Sequence, residues 1–160
     1  MCELLAVLKR RRSAPDELLV YREGRRWRDI SAADINGYIK SASGGDFSAK
    51  DFRTWHATVL AAIGVAVSGG AARSATGRRR AISRSIAEVA HYLGNTPAVC
   101  RASYIDPRVF DQYNGGLTIG GVLAQVGDHP LENPSLQGPV EKAVLDLLED
   151  ETSPALQTVG

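Results

Sequence analysis

The sequence predicts a mainly α-helical fold with one small β-hairpin near its N-terminus. Three observations carry this reading. Apolar residues recur at helical spacing in Phe52, Trp55, Val59, Leu60 and Ile63, and again in Ile82, Ile86, Val89, Ala90 and Leu93. Helix-start signals stand at Ser31, Ser48 and Thr96-Pro97. Between Leu18 and Ile30, two short runs rich in strand-forming residues flank Glu23-Gly24-Arg25.

Taken in order, Glu3 to Arg12 reads as the end of an amphipathic helix, with Leu4, Leu5 and Leu8 on one side and Pro15-Asp16 as its break. Leu18 to Tyr21 and Trp27 to Ile30 form the hairpin or extended pair. Ser31 starts a helix with Asp34 completing a capping box, and Ile35, Tyr38 and Ile39 supply its apolar face. Ser48 caps a helix that runs to about Val67. Ser68 to Gly77 is small, polar and Gly-rich and reads as a mobile loop. A helix then runs from Arg78 to Leu93, closed by Gly94. Thr96 and Pro97 start another, with Tyr104 about two turns on. Pro107 opens a short helix through Val109, Phe110 and Tyr113. The signal weakens after Gly116, so residues 117–160 are expected to be a loosely ordered extension with a short helix at Leu145 to Asp150.

A chain of 160 residues suits a sizeable core, and its net charge of +1 does not announce a polyanion partner. The distribution says more. Basic residues cluster at Lys9-Arg10-Arg11-Arg12, at Arg22, Arg25, Arg26 and Arg28, and at Arg73, Arg78, Arg79, Arg80 and Arg84, while Glu149-Asp150-Glu151 closes an acidic tail. That asymmetry fits a polyanion; the alternative is a set of solvated faces. Cys2, Cys100, His56, His91 and His129 share no ligand spacing, so neither a metal nor a disulfide framework is read here. No signal peptide or membrane-length apolar stretch is visible, which gives a cytoplasmic expectation.

The chemistry concentrates in two runs, Ser48-Ala-Lys50-Asp-Phe-Arg53-Thr-Trp55 and Leu93-Gly-Asn95-Thr-Pro-Ala-Val-Cys-Arg-Ala-Ser-Tyr104. A tyrosine phenol has a pKa near 10, so it is a weak nucleophile at neutral pH. Its attack on a phosphodiester adds negative charge to the non-bridging oxygens, and fixed donors aimed at that charge supply several kcal/mol. Arg53 offers an always-charged planar fork. Asn95 offers an amide donor that does not titrate. Arginine replaces a metal cation in this logic, so no cofactor or metal is expected. Each residue also has a plainer reading: Tyr104 as a half-buried anchor, Arg53 as a solvated arginine, Asn95 as a helix stop.

Together the two runs resemble the catalytic domain of type IB DNA topoisomerases, particularly the small bacterial and poxvirus-like forms. The family carries an arginine in a Lys-Asp-[aromatic or aliphatic]-Arg motif, and a histidine or asparagine nine residues before the tyrosine. Here Asn95 stands nine residues before Tyr104, and Arg53 stands 42 residues before Asn95. The resemblance covers roughly Ser13 to Tyr113 and makes residues 1–116 a partial catalytic domain. It implies the C-terminal part of the topoisomerase IB and tyrosine recombinase fold. It also implies an ATP-independent enzyme that relaxes supercoils through a 3′-phosphotyrosyl intermediate. Tyr104 is then the nucleophile, Arg53 and Asn95 contact the phosphate, and Lys50 is a supporting phosphate contact. The partner implied is double-stranded DNA, bound by a monomer in the nucleoid. The family's general-acid lysine and a further arginine lie upstream of the matched region, so the expectation is a truncated enzyme of doubtful activity alone. The runner-up is a tyrosine recombinase or integrase, where His-x-x-Arg and Leu-Gly-His stand in place of Lys50-x-x-Arg53 and Leu-Gly-Asn95. A third reading is a non-catalytic DNA-binding remnant.

Overall fold

The structure, a computed structural model, describes residues 2–10, 17–69, 74–126, 134–149 and 152–159. Pro15, Asp16, Arg11, Arg12, Arg73, His129, Asp150 and Glu151, all singled out in the sequence, lie outside the described residues. Among the described residues helices dominate, with two small antiparallel strand pairs. The chain divides into two compact units, Met1–Asp51 and Phe52–Gly160.

The first unit holds α1 (Cys2–Arg10), β1 (Val20–Glu23), β2 (Arg26–Asp29), α2 (Ala32–Ser43) and the start of α3 (Ala49–Gly69). The hairpin pairs Val20 with Asp29 and Glu23 with Arg26, and Glu23 also forms an ion pair with Arg28. α2 is fixed by its ends. The Ser31 hydroxyl accepts from the Asp34 N–H at 3.2 Å, and the Asp34 carboxylate accepts from the Ser31 N–H at 2.8 Å, the predicted capping box. Its expected apolar face is not buried: Tyr38 is 75% exposed and Ile35 40%. Among the described residues of this unit only Val20 is buried, so caps rather than burial hold α2.

The second unit contains the rest of α3, α4 (Ala75–Leu93), α5 (Pro97–Ser103), α6 (Arg108–Asn114), β3 (Leu117–Thr118), α7 (Gly120–Val126), α8 (Pro134–Leu148) and β4 (Gln157–Thr158). α4 follows its predicted stripe: Ile82, Ile86, Val89 and Ala90 are buried. A fully buried Ile or Val contributes about 1.5–3 kcal/mol. α3 keeps most of the expected stripe, with Val59 buried and Trp55, Leu60 and Ile63 packed half-buried on the core. It loses one member and buries a second set of small residues. Phe52 is exposed, and the buried face is Ala57, Thr58, Val59, Ala61, Ala62 and Val65. Small residues let α3 approach α4 closely: Ser85 donates to the Ala61 carbonyl at 3.1 Å, and a Cβ on Gly64 would lie 2.6 Å from Ser85 Oγ. A large-residue stripe could not sit on that seam.

Both ends of the stretch Ser68 to Gly77, expected as a loop, are helical among the described residues. α3 extends to Gly69, and Ser74 caps α4 by accepting from the Gly77 N–H at 3.0 Å, so the Gly-rich stretch is partly helix. The described residues after Gly116 are also more ordered than expected. Its helix is not confined to 145–150 but spans Pro134–Leu148, and Ile119, Val122, Val140, Ala143, Val144 and Leu147 join the same core as α3 and α4. β3 and β4 pair antiparallel, and the Val159 N–H donates to the Gly116 carbonyl at 2.7 Å. Gly116 sits at φ +90°, and a Cβ there would lie 2.9 Å from Val159 O, so this close approach requires glycine.

Candidate active site

The turn between α4 and α5 is built from its sequence signals. Gly94 takes a left-handed φ of 68°, and its N–H bonds back to the carbonyls of Ala90 and His91. The Asn95 N–H then reaches the Ala90 carbonyl at 2.9 Å. Thr96 caps α5 through the Val99 N–H at 3.3 Å, and Pro97 takes the first helical position. α5 ends at Tyr104, whose N–H donates to the Cys100 carbonyl at 3.0 Å. Tyr104 is half-buried.

Arg53 meets this turn from α3. Its Nη2 donates to the carbonyl of Leu93, the last residue of α4. Its guanidinium carbon lies 5.1 Å from the centroid of the Tyr104 ring, within cation–π range. The structure therefore brings Arg53 to Tyr104 and to the helix end that carries Asn95. Two buried donors there have no partner: Arg53 Nε and Asn95 Nδ2. Most buried polar groups are hydrogen-bonded, so such donors call for an explanation. A bound anion supplies one, because it accepts from both kinds of donor. Lys50 is exposed in the first turn of α3. His56, three residues after Arg53, packs its ring against Tyr92, with the ring centroids 5.4 Å apart.

Two residues that the sequence reading left aside support the tyrosine. Thr58 is 2% exposed; its hydroxyl donates to the Thr54 carbonyl at 2.9 Å and accepts from the Asp106 N–H at 3.1 Å. It pins the chain two residues past Tyr104. Its signal was a threonine within the small, buried face of a helix. Cys100 is fully buried under the same turn; burial pushes its thiol pKa up, and the charge of Arg53 opposes the rise. Beyond this, the Asp106 carboxylate accepts from Arg108 Nη2 at 2.7 Å, and that bond holds its pKa below the usual range.

A family model described as eukaryotic DNA topoisomerase I, catalytic core, matches residues 2–126. The chain belongs to this family. Type I topoisomerases are isomerases that act on DNA, and that is the function the family gives it. No curated protein matches the chain. In this topoisomerase I core the match reaches residue 126, past the expected limit near Tyr113 and into α7. That agrees with the packing of Ile119 and Val122 in the common core. Among the described residues, no group of three or more His, Cys, Asp or Glu residues is placed to hold a metal ion. No described helix is long and apolar enough to cross a membrane.

Proposed function

We propose that this chain carries the nucleophile of a type IB topoisomerase, of the bacterial and poxvirus-like kind, acting as a monomer on double-stranded DNA in the nucleoid. The phenol oxygen of Tyr104 attacks a backbone phosphorus. The bond to the 5′-oxygen breaks, leaving a 3′-phosphotyrosyl adduct and a free 5′-hydroxyl. The phenol gives up one proton and the departing oxygen takes one up. One phosphodiester replaces another, so the 5′-hydroxyl can reverse the step without ATP. Between cleavage and religation the duplex rotates and supercoils relax.

Arg53 and Asn95 stabilise the charge that grows on the non-bridging oxygens. The observation that carries this is the pair of buried, unpartnered donors, Arg53 Nε and Asn95 Nδ2, at the helix end beside Tyr104. Donors already placed need no reorganisation when charge develops. Holding one guanidinium nitrogen on the Leu93 carbonyl leaves the rest of the fork for phosphate. Lys50, exposed in the first turn of α3, adds a charge for a neighbouring phosphate.

Trapping with labelled duplex DNA tests the reading. The parent chain, assembled with any further part of its polypeptide, should form an adduct stable to denaturant and joined to the 3′ end. Tyr104→Phe should form none while binding DNA as before. An undiminished adduct in the Phe variant would place the nucleophile elsewhere.

A further inference from the structure

A second group of cations lies on the tyrosine-bearing unit. Arg78 and Arg79 near the start of α4, Arg101 on α5 and Asn114 at the end of α6 line an open pocket of about 660 Å³, together with Ser83. Three different helices thus turn cationic or neutral donors toward one concavity. Arg101 is steadied by the Phe110 ring, 5.8 Å from its guanidinium carbon. Among the described residues none of the three arginines forms an ion pair with a carboxylate. Nearby in the same unit the buried hydroxyl of Tyr113 has no hydrogen-bond partner; burial pushes its pKa up and the Arg78 charge opposes the rise.

Like charges gathered without a counter-charge repel one another, and an anion relieves the repulsion. The donor geometry selects the anion. Guanidinium forks match two oxygens of a phosphate at once, and three forks around one concavity suit a group with several equivalent oxygens. The pocket offers little apolar wall for a peptide side chain: Ile82 is the one large apolar residue in its lining.

We propose that Arg78, Arg79 and Arg101 form a second phosphate-binding pocket, separate from Arg53, Asn95 and Tyr104. The phosphate can come from the backbone of duplex DNA beside the reacting one, or from a small polyphosphate. The first source rests on the DNA-cleaving function proposed above; the second does not. One duplex can occupy both places. Arg78 and Leu93 are separated by about 22 Å of helix, and each strand of DNA presents a phosphate every ~3.4 Å along its axis.

Arg79 and Arg101 are exposed, so replacing them spares the core. The experiment compares the parent chain with Arg79→Gln/Arg101→Gln, with Arg79→Lys/Arg101→Lys, and with a charge-matched control, Arg80→Gln/Arg84→Gln. The control residues are exposed on the same helix but do not line the pocket. Duplex binding is measured by anisotropy across a salt series, and tripolyphosphate binding by calorimetry. The pocket variant should weaken at least one probe by about tenfold or more beyond the control. If the probe is DNA, its salt dependence should flatten by about two phosphate contacts' worth. The Lys pair should recover the slope but not the full affinity. Weakened DNA binding identifies the backbone as the source; weakened tripolyphosphate binding with unchanged DNA binding identifies a free polyphosphate. If neither probe responds, or if the control loses as much as the pocket variant, the pocket is not a phosphate site. Failure of the cleavage reading would show separately, as absence of a Tyr104 adduct with both binding signals intact.

Discussion

The guanidinium of Arg53 lies over the ring of Tyr104, 5.1 Å from carbon to centroid. The same group donates to the carbonyl that ends α4. One side chain from α3 thus meets the last turn of α4 and the end of α5. Arg53 is anchored at one nitrogen and leaves a buried Nε without a partner. That unsatisfied donor is available to an acceptor such as a phosphate oxygen.

Arg53→Ala should therefore slow single-turnover adduct formation by roughly 10²–10³, the usual loss for one transition-state donor. Arg53→Lys keeps the charge but loses the fork, so it should stay impaired. Quench-flow of labelled duplex on the protein checks this, with circular dichroism confirming the fold. Cleavage at the parental rate in Arg53→Ala would leave Arg53 as a purely structural contact.

Asn95 stands just past Gly94, and its buried Nδ2 has no partner. Asn95→Ala should slow cleavage by about 10²-fold, near the lower end for a lost donor. Asn95→His should restore much of the rate, because imidazole can also present an N–H there. The helix stop itself depends on Gly94 and on the Asn95 backbone N–H, so stability should change little in either variant. A rate unaffected by Asn95→Ala would reduce Asn95 to its place in that stop.

The parts of the fold written in local chemistry were legible in the sequence. Caps at Ser31, Ser48 and Thr96, the stop at Gly94 and the stripe of α4 depend on neighbours within a few residues. Much of what escaped depends on distant partners. Alanine, threonine and glycine on α3 carry little hydrophobic signal, yet Ala57, Ala61 and Gly64 form the close seam where α4 docks. Phe52 reads as core and lies exposed. The C-terminal region looked loose because Gly and Pro recur between Leu117 and Pro139. Val140, Ala143, Val144 and Leu147 are buried there at helical spacing, a stripe that the sequence reading passed over. At the candidate site, the Lys50-to-Arg53 and Asn95-to-Tyr104 spacings named the candidates. The hold of Leu93 on Arg53 and the role of Thr58 needed the tertiary structure.

Acid should destabilise the protein partly through Asp146. Its carboxylate accepts from Lys142 and from Ser153, and those bonds, with the Lys142 charge, hold its folded pKa below the unfolded value, which is about 3.9. A depressed pKa means that the unfolded chain binds the proton more readily. The stability is thus fully present above the unfolded pKa and is lost as pH falls through the folded one. Asp146→Asn should lower the denaturation midpoint at pH 7, with a smaller difference from the parent as pH drops below about 4. Urea titrations across that range test it; a difference that stays constant with pH would show that the ion pair carries no linked stability.

Thr58 links stability to reaction geometry. Its hydroxyl accepts the Asp106 N–H at 3.1 Å, directly after the turn that sets Tyr104. Thr58→Val keeps the shape and removes the acceptor. A buried amide left without a partner costs about 1–3 kcal/mol, so the urea midpoint should fall accordingly. The turn would also lose its tether, and misplacing a reacting group by about 1 Å can cost on the order of 10²-fold in rate. Thr58→Val should therefore slow adduct formation at saturating DNA while leaving duplex affinity near the parent's. Thr58→Ser keeps the hydroxyl, so it should restore the rate even where the missing methyl leaves stability lower. That split between rate and stability separates the tether from simple packing. If Ser and Val slow the adduct equally, the hydroxyl does not position Tyr104 and only the volume at this site matters.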